Sequence, residues 1–162
     1  IDVASNEIVA CGLSMPHSPR WHRGDLWLLE SGDGSLGRVD LQRGVYEPIV
    51  KLPGFTRGLA LVGSLALVGL SQVRESAVFS GIPLVERLEE RTCGVWMVDI
   101  DRGATLGFLR FEAAVQEIFA VEALFGARYP DLINDDAELI GRSYVLSDAA
   151  LADVPGEMRS SG

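Results

Sequence analysis

Hydrophobic positions along the chain come in short runs, "DLWLLES", "LGRVDL", "VYEPIVKL", "RGLALVG", "LALVGLS", "VWMVDI" and "LGFLRF", each closed by Gly, Pro, Asp or Ser. Runs of this length, bounded by turn residues and lacking a sustained helical period, read as strands. The pattern predicts an all-β chain.

The runs also repeat. "MPHSPRWHRGDLWLLES" parallels "LPGFTRGLALVGSLALVGLS", with Pro16 against Pro53 and Arg20 against Arg57 at an offset of 37, and the closing Ser31 and Ser71 at an offset of 40. "VDLQRG" from Val39 parallels "VDIDRG" from Val98 at an offset of 59. In that second pair Asp caps a tight turn and Gly accepts positive φ, so the two are copies of one hairpin. The repeating unit is then four antiparallel strands, a to d, in about 40 residues, which is the period of a propeller blade.

The fold class expected is all-β: a β-propeller-like array of four-stranded antiparallel blades, about three copies, forming a partial propeller over residues 1–146. Its parts are an outer strand over 1–15, a blade over 16–53, a blade over 54–112 with an insertion at 74–94, and a partial blade over 113–146. "VQEIFAV" opens the partial blade, "RSYVLSD" is its strand b, and 147–162 is a C-terminal tail. The insertion follows from spacing: Arg20 to Asp40 is 20 residues and Arg57 to Asp99 is 42, leaving about 22 extra. Within it, Pro83, the Leu84/Leu88 pair and Gly94 predict a short helix.

In this architecture the d-to-a and b-to-c connections share one face. The ligand-binding candidates that converge there are His17, Ser18, Arg20, Arg57, Ser71, Arg74, Gln116 and Glu117, with Glu30, Ser31 and Glu75 close by. Arg20, Arg57 and Glu117 are expected at the same place in three copies. There they either bridge blades as ion pairs or grip an anion by bidentate hydrogen bonds. His17 and Glu117 are the catalytic candidates if a reaction occurs, His17 as general base. His22, beside the turn "RGD", reads as packing or exposed.

No metal ligands are assigned, because the two histidines lack accompanying ligands at a recognisable spacing. Ser18 has no Gly-X-Ser-X-Gly elbow. Trp21, Trp27 and Trp96 read as core, "ESGDGSLG" as a b-to-c turn, and "PDLINDDAELIG" as a solvated connector.

Composition narrows the partners. A net charge of −9 and a pI near 4.6 argue against nucleic acid. Thirteen of the 14 basic residues are Arg, Lys51 being the exception. No apolar stretch reaches the roughly 20 residues that span a bilayer, so no membrane partner is expected. Cys11 and Cys93 suit free thiols in a reducing cytoplasm. The chain starts at Ile1 without Met, and three copies are fewer than the four to eight blades that close a propeller. Missing N-terminal blades, or a second copy, are therefore expected to complete it.

"GLSMPHSPRWHRGDLWLLESGDGSLGRVD", "LPGFTRGLALVGSLALVGLSQVRE", "CGVWMVDIDRG" and "EIFAVEALFGARYPDLINDD" resemble the C-terminal half of a bacterial conserved-hypothetical family, a domain of unknown function with a propeller-like fold. That resemblance covers nearly the whole chain and implies no particular reaction, cofactor or catalytic residue. The rhythm "G-X-LW-X-X-X-S…G-X-X-X-VD…G" is more loosely similar to lactonase and NHL-type propellers, whose enzymatic members hold a metal with carboxylates and Asn. Here Asn occurs only at Asn6 and Asn134, and only Glu117 falls at a strand-a position.

The expected function is a non-enzymatic module that binds a small anionic or polar ligand, or a protein segment, with no cofactor. The alternatives are a hydrolase-like propeller enzyme using a divalent channel metal or the His17 base, and a protein-interaction scaffold.

Overall fold

The computed structural model describes residues 1–72, 83 and 84, 92–128, 130, 136–142, 149 and 152. The chain divides into two compact units, Ile1–Leu124 and Phe125–Gly162.

The first unit carries two four-stranded antiparallel meanders. One comprises β1 (Pro16–His22), β2 (Asp25–Glu30), β3 (Ser35–Asp40) and β4 (Val45–Lys51) in that order; the other β5 (Phe55–Val62), β6 (Leu65–Ser71), β7 (Cys93–Asp99) and β8 (Ala104–Phe111). Tight turns make the meanders. His22 to Asp25 closes through Arg23 and Gly24 with φ of 52° and 88°, the left-handed pair that matches strand twist. The Asp-X-X-Arg-Gly turns also repeat in detail. Asp40 Oδ1 accepts the N–H groups of Gln42 and Arg43 at 2.9 and 3.0 Å, and Asp99 Oδ1 those of Asp101 and Arg102 at 3.0 and 3.0 Å. Gly44 and Gly103 follow with φ of 65° and 63°.

Strand pairing sets the register between the sheets and corrects the sequence alignment. Trp21 faces Leu26 as Leu61 faces Ala66, an offset of 40, while Asp40 faces Val45 as Asp99 faces Ala104, an offset of 59. The offset of 40 given by Ser31 and Ser71 is therefore correct, and the 37 given by Pro and Arg is not. Pro16 lies inside β1, whereas Pro53 lies in the link before β5. The two offsets differ by 19, so the insertion between β6 and β7 is shorter than the 22 inferred, and Cys93 and Gly94 belong to β7.

The core lies between the sheets. Trp27, Leu29, Leu36 and Leu52 from the first pack with Leu59, Val68, Leu70, Trp96 and Val98 from the second. Burying each leucine is worth about 1.5–3 kcal/mol, before the entropy of ordering the chain is subtracted. An aromatic ring lies over a glycine in both sheets. A Cβ on Gly37 would fall 2.7 Å from Tyr46 Cζ, and one on Gly94 2.9 Å from Trp96 Cζ3.

Other expectations change. Residues 1–15 form no strand, because Asn6, Gly12 and Met15 take φ of 59°, 78° and 51° and break any extended run. Trp21 is 64% exposed on β1, an outer strand of its sheet, so only Trp27 and Trp96 are core. Residues 113–124 carry no strand. Of the inserted helix only Pro83 and Leu84 lie within the described residues, both helical. Leu84 is fully buried, and its N–H donates to the Gly32 carbonyl at 3.0 Å.

In the second unit, Asp136 caps α1 (Ala137–Arg142), its Oδ1 accepting from the N–H groups of Glu138 and Leu139 at 3.0 and 2.9 Å. "NDDAELIG" is thus partly helix, not connector alone. Of "RSYVLSD" only Arg142, the last residue of α1, lies within the described residues. Among the described residues no helix is long and apolar enough to cross a membrane.

Candidate functional site

The first strands of the two sheets lie side by side, and both are bulged near their starts, between His17 and Arg20 and between Thr56 and Leu59. The bulges bring backbone and side chains of the two strands into contact. Ser18, at a left-handed φ of 53°, accepts the Gly58 N–H on its Oγ at 3.1 Å, and Gly58, at the equivalent position, has φ of 85°. Gly58 in turn fits against the next segment: a Cβ there would lie 2.8–2.9 Å from the backbone of Ala120 and Val121. Ser18, Gly58 and Ala120 therefore form one row across three successive first-strand segments. The residues just before them, His17, Arg57 and Phe119, form the adjoining row.

A serine at the end of each second strand ties this arrangement together. Ser31 Oγ donates to the Thr56 carbonyl at 2.5 Å, and Ser71 Oγ donates to the Ile118 carbonyl at 3.1 Å while accepting the Ile118 N–H at 2.8 Å. Gln72 N–H adds a bond to the Gln116 carbonyl at 2.8 Å. Residues 116–121 thus follow the position that a first strand takes in the earlier repeats.

His17 Nδ1 lies 2.9 Å from the Met15 carbonyl and 2.8 Å from Ser31 Oγ. The carbonyl can only accept, and the Ser31 hydroxyl proton is directed at Thr56, so both contacts require a proton on Nδ1. In the neutral ring Nε2 then carries the lone pair. The ring also packs edge-on against Phe55, with centroids 5.7 Å apart.

Arg57 is half-buried, and its guanidinium carbon stands 4.3 Å from the centroid of Phe119, a ring that is 62% exposed. Among the described residues no carboxylate lies within ion-pair distance of Arg57. A cation–π contact of this kind uses none of the guanidinium N–H groups as a donor to a neighbouring acceptor, so they can still bind an anion. Thr56, the residue before it, is fully buried with no hydrogen-bond partner for its hydroxyl among the described residues. Such an orphan costs about 1–3 kcal/mol.

The sequence-derived residues separate accordingly. His17, Ser18 and Arg57 come together. Ser71 is in the same region, but its hydroxyl is engaged by Ile118. Gln116 is exposed; Glu117 is half-buried, its charge adding to burial in pushing the Cys93 thiol upward. Arg20 is exposed, donates to its neighbour Pro19 at 3.1 Å, and falls in register with Ala60 instead of Arg57. The supposed row of Arg20, Arg57 and Glu117 is thus replaced by His17, Arg57 and Phe119. Glu30 Oε1 accepts the Ser14 N–H at 3.3 Å. Arg74 and Glu75 lie outside the described residues. His22 Nε2 donates to the Gly63 carbonyl at 2.7 Å and links the two hairpins, a structural task.

Phe119 and Thr56 were missed. The signal for Phe119 was the row itself, recoverable from "EIFAV" once the serine offset is followed.

Two clefts of about 420 and 310 Å³ lie at the opposite end of the sheets. Their charged groups are already paired: Arg23 with Asp101 at 2.8 Å, and Arg38 with Asp25 at 3.7 Å and Glu47 at 3.5 Å. Among the described residues no group of three or more His, Cys, Asp or Glu side chains is placed to hold a metal ion.

A comparison with curated proteins finds no match. Residues 1–133, well over half of the chain, match the family described as Domain of unknown function (DUF4915). The protein belongs to that family.

Proposed function

We propose that this chain is part of a β-propeller whose first strands present a binding site for a small anion, with Arg57 as the principal contact and His17 beside it. Equal strand order in two sheets, adjacent first strands, and a third segment continuing the row all support the propeller reading. The observation that carries the function is the half-buried Arg57, its guanidinium set over Phe119 with no hydrogen-bond or ion-pair partner among the described residues. Local strain supports it further. His17 lies between two non-glycine residues at positive φ, Met15 and Ser18, and strain of this kind concentrates at functional positions. Two unpaired cysteines, Cys11 exposed and Cys93 buried, fit a cytoplasmic setting.

The test is an NMR titration with small carboxylates and inorganic phosphate at constant ionic strength. Arg57→Ala weakens binding about tenfold or more, the value of a charge-assisted hydrogen bond, and Arg20→Ala leaves it unchanged. Binding of every anion unchanged by Arg57→Ala overturns the proposal. A second reading, His17 as general base of a hydrolase-like enzyme, is favoured by the lone pair on Nε2. Turnover of a carboxylate ester that disappears in His17→Asn would establish it.

A further inference from the structure

We infer that the ligand is a monocarboxylate carrying a hydroxyl or N–H donor on a neighbouring carbon, the acid held by Arg57 and the donor by Nε2 of His17. The inference rests on the anion site proposed above and specifies its chemistry.

Three observations combine. The Nδ1 proton of His17 is fixed twice over, by the Met15 carbonyl and by Ser31, whose own proton is committed to Thr56. The ring therefore cannot present N–H through Nε2 while neutral; it presents an acceptor, which an unadorned carboxylate cannot satisfy. His17 and Arg57 are also neighbours in one row, since the following residues, Ser18 and Gly58, are joined by a 3.1 Å hydrogen bond. An acceptor and a bidentate donor on neighbouring residues of one row call for an anion and a hydrogen-bond donor close together in the ligand. Charge sets the valence. The chain has 23 acidic against 14 basic residues, and Arg57 is the one permanent cation of its row, so a single negative charge is matched and a doubly charged phosphate is opposed by the surrounding field. Each residue also has a ring contact that helps hold it in place: Arg57 rests on Phe119 and His17 against Phe55.

The experiment compares lactate, in both enantiomers, with propionate, and N-acetylglycine as the N–H counterpart, by NMR titration at constant pH and ionic strength. Wild type binds one lactate enantiomer and N-acetylglycine about tenfold more tightly than propionate, the worth of one well-made hydrogen bond. His17→Asn keeps a side-chain N–H for Ser31 and Met15 but removes the Nε2 acceptor. It brings the donor-bearing acids down to the propionate level. Equal binding of lactate and propionate by wild type, with both lost in Arg57→Ala, overturns this inference and leaves the anion site standing. A lactate preference that persists in His17→Asn also overturns it. Binding that survives Arg57→Ala overturns both; binding of none of these acids overturns this inference, and overturns the anion site as well where phosphate also fails to bind.

Discussion

The two sheets are built to one plan and differ in what they place on it. Their turns coincide down to the capping carboxylates of Asp40 and Asp99, and a serine at or just past the end of each second strand grips the following segment. At the row of His17, Arg57 and Phe119, however, the first sheet supplies an imidazole, the second a guanidinium, and the next segment a phenyl ring. The scaffold positions are therefore filled by like groups and the row positions by unlike ones. On the function proposed above, that contrast makes an asymmetric site from near-identical repeats.

The interior contrast is sharper still, because the glycine stays on the third strand of each sheet while the aromatic over it comes from the fourth strand in the first and from the third in the second. In the first sheet Tyr46 of β4 lies over Gly37 of β3; in the second Trp96 of β7 lies over Gly94 of the same strand and stacks on Phe108 of β8 at 5.1 Å. If each ring requires its glycine, both Gly37→Val and Gly94→Val overpack rigid surroundings. A Cβ would collide with the Glu47 carbonyl at Gly37 and with the Leu109 carbonyl at Gly94, and backbone cannot step aside cheaply. Each substitution should cost about 3 kcal/mol or more, measured by urea unfolding. A loss below about 1 kcal/mol at either site breaks the equivalence.

The serines give the next largest effect. Ser31→Ala leaves His17 Nδ1 with Met15 alone and the Thr56 carbonyl without its donor; Ser71→Ala strands the Ile118 N–H and carbonyl. Both serines are buried, so a loss of about 1–3 kcal/mol is expected at each. The two differ in a second readout. Only Ser31→Ala removes a restraint on the His17 tautomer, and the imidazole ¹⁵N shifts should move there and stay put in Ser71→Ala.

Much of this plan was legible in the chain because turn chemistry is local. "VDLQRG" and "VDIDRG" carry their capping Asp and left-handed Gly in six residues, with no need of distant partners. Registration of the first strands was harder. Ser31 and Ser71 gave the right offset because both serve the same bond, while the Pro16/Pro53 and Arg20/Arg57 matches were coincidences of type, with Pro53 outside any strand. A three-residue error moved Arg20 into the row and left Phe119 out. His17, Ser18 and Arg57 come together in the structure because each was placed by its own position near a strand start. Thr56 could not have been found: a buried hydroxyl without a partner is a property of packing that no spacing records.

Tyr46 separates the sheets by pH. Burial pushes its phenol up to about 12, against the bond from Ser35, whose Oγ lies 3.0 Å from the Tyr46 hydroxyl. An unfolded tyrosine ionises near 10, so the stabilisation from keeping the phenol neutral is complete below about pH 10 and is lost as pH rises toward 12. Tyr46→Phe should remove the last step of the phenolate absorbance titration and cost about 1 kcal/mol at neutral pH. The matching position in the second sheet is Thr105, which has no such titration. Phenolate absorbance from Tyr46 near pH 10 would mean that the ring is not seated over Gly37.

The smallest effect should come from the turns, where the sheets look most alike. The Arg102 N–H, more than any other group, holds the Asp99 carboxyl below its usual range, with the Asp101 N–H and the Arg102 side chain assisting. A carboxyl lowered on folding stabilises the fold above its unfolded value of about 3.9, and that contribution disappears as pH falls through the lower folded value. Asp99→Asn can still accept both backbone N–H groups but carries no charge, so its melting temperature should be slightly lower at neutral pH and should fall less steeply with acid than that of wild type. Arg102 is mostly exposed, so solvent and salt screen its part. In the first sheet Arg43 stands 3.8 Å from Asp40, against 2.9 Å between Arg102 and Asp99, so Asp40→Asn should lower the melting temperature less than Asp99→Asn. Equal losses at neutral pH, unaffected by added salt, would assign both turns to the backbone caps alone and leave the arginines no share in either.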